Sequence, residues 1–398
     1  MVAGIAGRDA RARPVPPREV ITMRRVSVVV VCLVLAVAAS GALAAGYRTA
    51  VGSGADEVPV VVVSGTPYEM GYSYGSLMRS EVASCMDRYL AAAKAEDAAR
   101  YSDQALDAAW ATVEPYVDSR FIQEMHGVAD GAGVSYDFIK RAHSISLLGD
   151  YSCSGVALWG AASADGHLYQ IRNLDYTTDA GLQDYPVIVV YIPKTGIAHA
   201  NPAFAGFVGG IAGMNAKGIA LTEKGATPGS DYPFDLDGIP FFVMFRDILQ
   251  DAATLDDALA IVTNADRIKK YYYVIGDGRC RAGVKIRAFA PNLDIWRDND
   301  PTDEVAPKVM PDLVYITMDD DAAWNHFNAH YGHYNAALMI ELSRLVASDG
   351  GNLMNVVYDA TARQMWVAYA EGPVQASQRA YAPFKLNDYL RKPPNAAP

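Results

Sequence analysis

Five strand-like runs follow one another at residues 155–160, 168–173, 187–192, 207–214 and 219–223, with turns and no helix between them. Strands joined so tightly pair antiparallel, because a parallel crossover needs a dozen or more residues, usually a helix. The pattern on either side is different. After a short strand at 58–63, residues 68–140 are mostly helical in periodicity, with a break at Glu114-Pro115 and a loop at 131–133. Downstream come a helix at 240–250 and another opened by Thr254, which Asp257 can cap reciprocally. Strands at 271–277 and 284–288, a helix at 335–346 and a closing strand pair at 354–359 and 365–370 complete the reading. The class is α+β, and the architecture expected is a four-layer αββα sandwich, two antiparallel sheets between helix layers.

The chemistry concentrates at residues 152–176, SCSGVALWGAASADGHLYQIRNLDY. Asp165-Gly166 supplies a turn, so the strand ending in Arg172-Asn173-Leu174-Asp175 runs back beside Cys153. A fixed cation favours the thiolate of a nearby cysteine, and a carboxylate can orient a donor or hold a protonated amine. Each piece also has a plainer reading. A lone cysteine on an apolar strand is usually an inert small hydrophobe. RNLD alone can be a surface ion pair, and Asn215 in Asn-Ala-Lys-Gly can be a turn residue.

Taken in order, the cysteine, RNLD and Gly213-Met214-Asn215-Ala216-Lys217-Gly218 resemble the N-terminal-nucleophile amide hydrolases. That group includes choloylglycine hydrolase, penicillin V acylase and the isopenicillin-N acyltransferase group, also called the C45 peptidase family. The segment GTPYEMGYSYG at 65–75 is similar to the glycine-spaced opening of the acyltransferase branch, and EMHGVADGAG at 124–133 to its segment upstream of the cysteine. Residues 352–370 resemble its closing strand pair, so the likeness covers nearly everything after residue 55. It implies self-cleavage at Ser152-Cys153, which frees the Cys153 α-amine to act as base beside its own thiol. It further implies that Asp175 orients that amine, that Arg172 stabilises the thiolate, and that Asn215 helps bind the oxyanion. The division expected is a signal peptide or N-terminal anchor at 1–45, a helical pro-region or α-fragment at 46–152, and a catalytic region at 153–398. The chemistry calls for no cofactor and no metal. The substrate class is a small linear non-peptide N-acyl amide, with hydrolysis or acyl transfer set by the acceptor. The interval from Cys153 to Arg172 is a few residues longer than in choloylglycine hydrolases, which weakens transfer of their bile-salt substrate but not of the chemistry.

The leader reads as export. From Met23, a possible true start, Met-Arg-Arg precedes an apolar run at 26–39 and the small-residue site Ala42-Leu43-Ala44. An uncleaved segment at 26–45 approaches the length of a membrane anchor. Of four cysteines, Cys32 lies in this leader; Cys85, Cys153 and Cys280 remain, and Cys85 with Cys280 can form a disulfide that leaves Cys153 over, or all three stay reduced. The formal charge is −11, and the leader's six arginines outweigh Asp9 and Glu19 by four, so the rest of the chain is near −15. That balance argues against nucleic acid or an anionic membrane surface as the main partner. Two other functions compete with the thiol. His326, His330 and His333 share one face if helical and can hold zinc for a hydrolase. A non-catalytic exported binding protein on the same sandwich is the other.

Overall fold

The computed structural model describes residues 45–149, 152–226, 232–306 and 308–390. The leader expected at the N-terminus lies outside them apart from residue 45. In chain order the elements are β1 (Ala45–Val51), β2 (Val58–Gly65), α1 (Pro67–Leu77), α2 (Arg79–Glu96), α3 (Asp103–Val113), α4 (Ser119–Ala132) and α5 (Tyr136–Leu148). Then follow β3 (Ser152–Leu158), β4 (Tyr169–Asp175), β5 (Pro186–Pro193), β6 (His199–Phe204), β7 (Gly213–Asn215), β8 (Ile219–Gly225), α6 (Phe241–Asp251) and α7 (Leu255–Asn264). The chain continues through β9 (Lys270–Asp277), β10 (Ala282–Phe289), β11 (Asn292–Trp296), β12 (Leu313–Ile316), α8 (Asp320–His330) and α9 (Ala336–Leu345). It closes with β13 (Met354–Asp359), β14 (Gln364–Tyr369), β15 (Ala382–Lys385) and the short α10 (Leu386–Tyr389).

The strands make a nine-stranded sheet, β1-β2-β5-β6-β7-β8-β9-β10-β11, and a six-stranded sheet, β12-β3-β4-β13-β14-β15. They pack face to face: a Cβ at Gly155 of β3 would meet the Thr222 methyl of β8 at 2.6 Å, and Gln170 of β4 donates to Thr222 and to the Val274 carbonyl. On the outer face of the six-stranded sheet, Val156, Ile171 and Val357 pack with Phe327 of α8 and Met339 and Leu342 of α9. The other helix layer includes α1 against β1 and β2, α6 against β7 and α7 against β9. This is the αββα sandwich the sequence implies. Pairing is antiparallel throughout except between β2 and β5, whose buried valine runs suit a central position covered on both faces.

The sequence reading fails at glycines and at proline. Gly131 is inside α4, not in a loop. It belongs to a backbone-to-backbone helix crossing, in which a Cβ at Gly71 or Gly75 of α1 would come within 2.1 or 2.3 Å of the Glu124 or Val128 carbonyl oxygen of α4, and one at Gly127 or Gly131 within 2.3 Å of Tyr68 or Tyr72 oxygen. The two glycine-spaced segments are thus halves of one contact. Residues 207–212 are not strand: Gly210 N–H donates to the Phe242 carbonyl, and Cβ atoms at Gly209 and Gly210 would press on Phe242 and Phe245. β6 escapes notice because Pro202 sits within it.

Of the 46–152 segment, β1 and the strand expected at 58–63, β2, belong to the nine-stranded sheet, and the described residues form one compact unit. The proposed Cys85–Cys280 disulfide does not form. Cys85 is buried on α2, Cys280 is exposed in the β9–β10 turn, and all three cysteines among the described residues are free. Among the described residues no helix is long and apolar enough to cross a membrane.

Candidate active site

Strand register assembles the site. β3 and β4 pair with Ser152 opposite Asp175, Cys153 opposite Leu174 and Gly155 opposite Arg172. β4 lies between β3 and β13, and all seven of its residues are buried. The Cys153 thiol donates to Glu223 Oε2 at 3.9 Å, and Arg172 Nη2 meets the same oxygen at 3.5 Å. Arg172 is held by two further bonds, from Nε to the Ile211 carbonyl at 2.8 Å and from Nη1 to the Asn173 carbonyl at 2.6 Å. Its charge does lower the thiol pKa, as the sequence suggests, but burial is the larger effect and pushes Cys153 up to about 12. In the uncleaved chain the sulfur is therefore a thiol, and the expected thiolate is not the resting form. Burial likewise pushes Glu223 up to about 7 and Asp175 up to about 6.

Asp175 is half satisfied. Its Oδ1 accepts from Ser348 N–H at 3.2 Å and from Asn352 Nδ2 at 2.8 Å, while buried Oδ2 has no hydrogen-bond partner among the described residues. Asn352 also donates to Asn355 Oδ1, so both of its N–H groups are used in fixing this corner. The strands are held from behind by α9 and the turn after it. Ser343 Oγ donates to Asn173 Oδ1 at 2.6 Å, Asn173 Nδ2 donates to the Ser343 backbone carbonyl at 2.7 Å, and Ser154 Oγ donates to the Val346 carbonyl.

The structure gathers Cys153, Arg172 and Asp175, and it leaves Asn215 out. Asn215 Nδ2 donates to the Leu249 and Ala252 carbonyls, and its Oδ1 accepts from Lys217 and Ile219 N–H. With both donors and both acceptor positions on backbone, this side chain clasps the β7–β8 turn to the end of α6. The oxyanion role expected of it gives way to that plainer reading. Glu223 and Asn352 went unseen in the sequence. The one available signal for Glu223 was a carboxylate sharing a strand face with Ile219 and Leu221.

An apolar cleft of about 60 Å³ reaches Arg172 and Leu174 between Tyr89, Tyr176, Phe207 and Phe242. His143 also lines it but is no base: Nδ1–H donates to the Ile139 carbonyl, Nε2 accepts from Val208 N–H, and burial lowers its pKa to about 4. A second, more polar cleft is lined by Ser152, Asp175, Glu96, Asp179 and Ser348 together with Ala92, Ala93 and Met318, and Tyr176 forms part of both walls. The histidine face forms in part. His326 and His330 lie on α8, whereas His333 falls beyond its end, past Gly332 with φ +84°.

The model of the acyl-coenzyme A:6-aminopenicillanic acid acyl-transferase family matches residues 162–293. Protein dcd1B of Dictyostelium discoideum is 24% identical over 81% of this chain and 70% of its own length. The mouse N-acylethanolamine-hydrolyzing acid amidase is 23% identical over 46% of the chain, which spans about half (51%) of that relative. Among solved structures, a Caenorhabditis elegans ortholog of that amidase is 14% identical with TM-score 0.43, covering 57% of this chain and 98% of that one. Penicillin V acylase of Agrobacterium tumefaciens is 14% identical with TM-score 0.39, covering 55% and 83%. The matched segment runs from just after β3 through β4, with Arg172 and Asp175, to Glu223 and on into β11; over it this chain is similar to the acyl-coenzyme A:6-aminopenicillanic acid acyl-transferase family.

Proposed function

We propose that this protein is a cysteine N-terminal-nucleophile amidase that cuts its own Ser152-Cys153 bond and then cleaves N-acyl amides. The observation that carries the reading is the buried group of Cys153, Arg172, Glu223 and Asp175, with Asp175 paired across the strands from the residue on the acyl side of that bond. In self-cleavage, Glu223 takes the thiol proton, the sulfur attacks the Ser152 carbonyl, and Glu223 returns that proton to the Cys153 nitrogen as the C–N bond breaks and the acyl group passes from nitrogen to sulfur. Water then hydrolyses the thioester, leaving the Ser152 carboxylate and the Cys153 amine. That amine, with an ordinary pKa of about 8, is the donor that Asp175 Oδ2 lacks. It takes the thiol proton in each later turnover and returns it to the leaving amine. Arg172 answers the negative charge on the attacked carbonyl.

The aromatic cleft suits an acyl chain, and the polar cleft beside Ser152 and Asp175 suits the amine portion. Together with the amidase relative, this supports N-acyl amines such as N-acylethanolamines as substrates. Export, read from the leader, favours water as acceptor over an acyl-transfer partner. The test is a panel of N-acylethanolamines, N-acyl amino acids, penicillin V and acyl-homoserine lactones. Hydrolysis should be lost in step with alkylation of Cys153. Full activity in protein whose Cys153 is quantitatively alkylated, or no turnover of any amide, overturns the proposal.

A further inference from the structure

We infer that His326 and His330 of α8 and Glu341 of α9 form a Zn²⁺ site that ties these two helices together behind the catalytic strands. One ligand atom from each residue lies within 4.8 Å of the others, and His326 Nε2 is 3.6 Å from Glu341 Oε1. Zinc–nitrogen and zinc–oxygen distances of about 2.0–2.2 Å place tetrahedral ligand atoms roughly 3.3–3.5 Å apart. The His326–Glu341 edge is thus nearly at metal spacing. The remaining edges close by small rotations of His330 and Glu341, which are less buried than His326.

His326 provides the independent evidence. It is only 7% exposed, and its Nε2 has no hydrogen-bond partner among the described residues. Its polar neighbour is Glu341 Oε1 at 3.6 Å, too long for a hydrogen bond, so this buried nitrogen is under-satisfied, which is costly and needs an explanation. The opposite nitrogen, Nδ1, is fixed at 2.6 Å from the hydroxyl of fully buried Tyr334. This is how ligating imidazoles are commonly set: one nitrogen is anchored in the outer shell and the other is aimed at the metal. Two histidines at i and i+4 on one helix with a carboxylate from a neighbour suit zinc over magnesium or calcium, which prefer all-oxygen sites. Glu341 is exposed, so the fourth position faces solvent and takes water. His333, the third histidine of the sequence pattern, is replaced by Glu341. The site would brace α9, whose Ser343 holds Asn173 next to Arg172. It takes no part in bond cleavage.

The experiment uses the full chain stripped with EDTA and dialysed, then given ZnSO4, MgCl2 or CaCl2. Bound metal is measured by elemental analysis, and Tm by calorimetry. One equivalent of zinc should bind and raise Tm by about 5 °C at saturating metal, with no shift from magnesium or calcium. Glu341→Gln, an exposed change that leaves the core intact, and His330→Ala should each weaken zinc binding at least tenfold and abolish the shift. Failure to bind stoichiometric zinc, or zinc binding that survives both substitutions, overturns the assignment. Zinc binding and Tm are read independently of amide turnover, so this inference and the amidase proposal fail separately.

Discussion

Two buried arginine–carboxylate pairs among the described residues are built differently. Arg246 grips Glu124 with two parallel bonds at 3.0 and 2.8 Å while its guanidinium lies 4.0 Å over the Tyr191 ring. Both carboxylate oxygens of Glu124 are engaged. Arg172 instead gives Glu223 one bond at 3.5 Å and spends its shorter bonds on backbone carbonyls. Glu223 Oε1 has no hydrogen-bond partner among the described residues, and Oε2 also faces the Cys153 sulfur. A closed fork holds a fold together. An under-bonded pair beside a thiol keeps its carboxylate near neutral pKa and available to move a proton.

The largest test of this contrast is on stability. Glu124→Ala strands a buried guanidinium and breaks a two-bond fork, and should cost about 3–5 kcal/mol in urea unfolding, whereas Glu223→Gln keeps the side chain's shape and leaves Arg172 on its two backbone carbonyls, and should cost less, about 1–3 kcal/mol. Equal losses would erase the distinction. Next, Asp175→Asn should lower amide turnover at least about 100-fold, the scale of losing a charge-stabilising group in an active site, with unchanged circular dichroism. A loss within tenfold would mean an ordinary ion-pair effect.

A pH effect of about 1–3 kcal/mol follows from the raised carboxylates. Because Glu223 and Asp175 titrate near 7 and 6 when folded and near 4 when unfolded, folding takes up protons between those values. The stability they confer is present below about pH 4 and is lost as pH rises through 6–7. Adding Glu223→Gln to uncleaved Cys153→Ala protein should therefore raise its stability at pH 8 relative to that at pH 5, compared with Cys153→Ala alone, while buried His143 and His199 contribute in the opposite sense in both proteins; an unchanged slope contradicts the buried-carboxylate assignment. The smallest effect is expected at Asn215, where Ala should cost about 1–3 kcal/mol of stability and leave turnover per folded molecule within threefold. A 100-fold loss there would restore its oxyanion role.

Cys153, Arg172 and Asp175 were legible because a turn and strand alternation set their register before any tertiary contact is known. Glu223 and Asn352 come from β8 and from the segment after α9, and only sheet-on-sheet packing and the Asp175 contact bring them in. Asn215 misled because its motif specifies a turn, which the chain does form. The 207–212 run and Gly131 misled because glycines that permit close packing look, in sequence, like strand or loop.

Intact-mass analysis of protein expressed with its native leader tests the central claim most directly. The account predicts two fragments that stay associated, one ending at Ser152 and one beginning at Cys153, and a single uncut chain for Cys153→Ala. A fully active wild-type enzyme with an unbroken Ser152-Cys153 bond would contradict it.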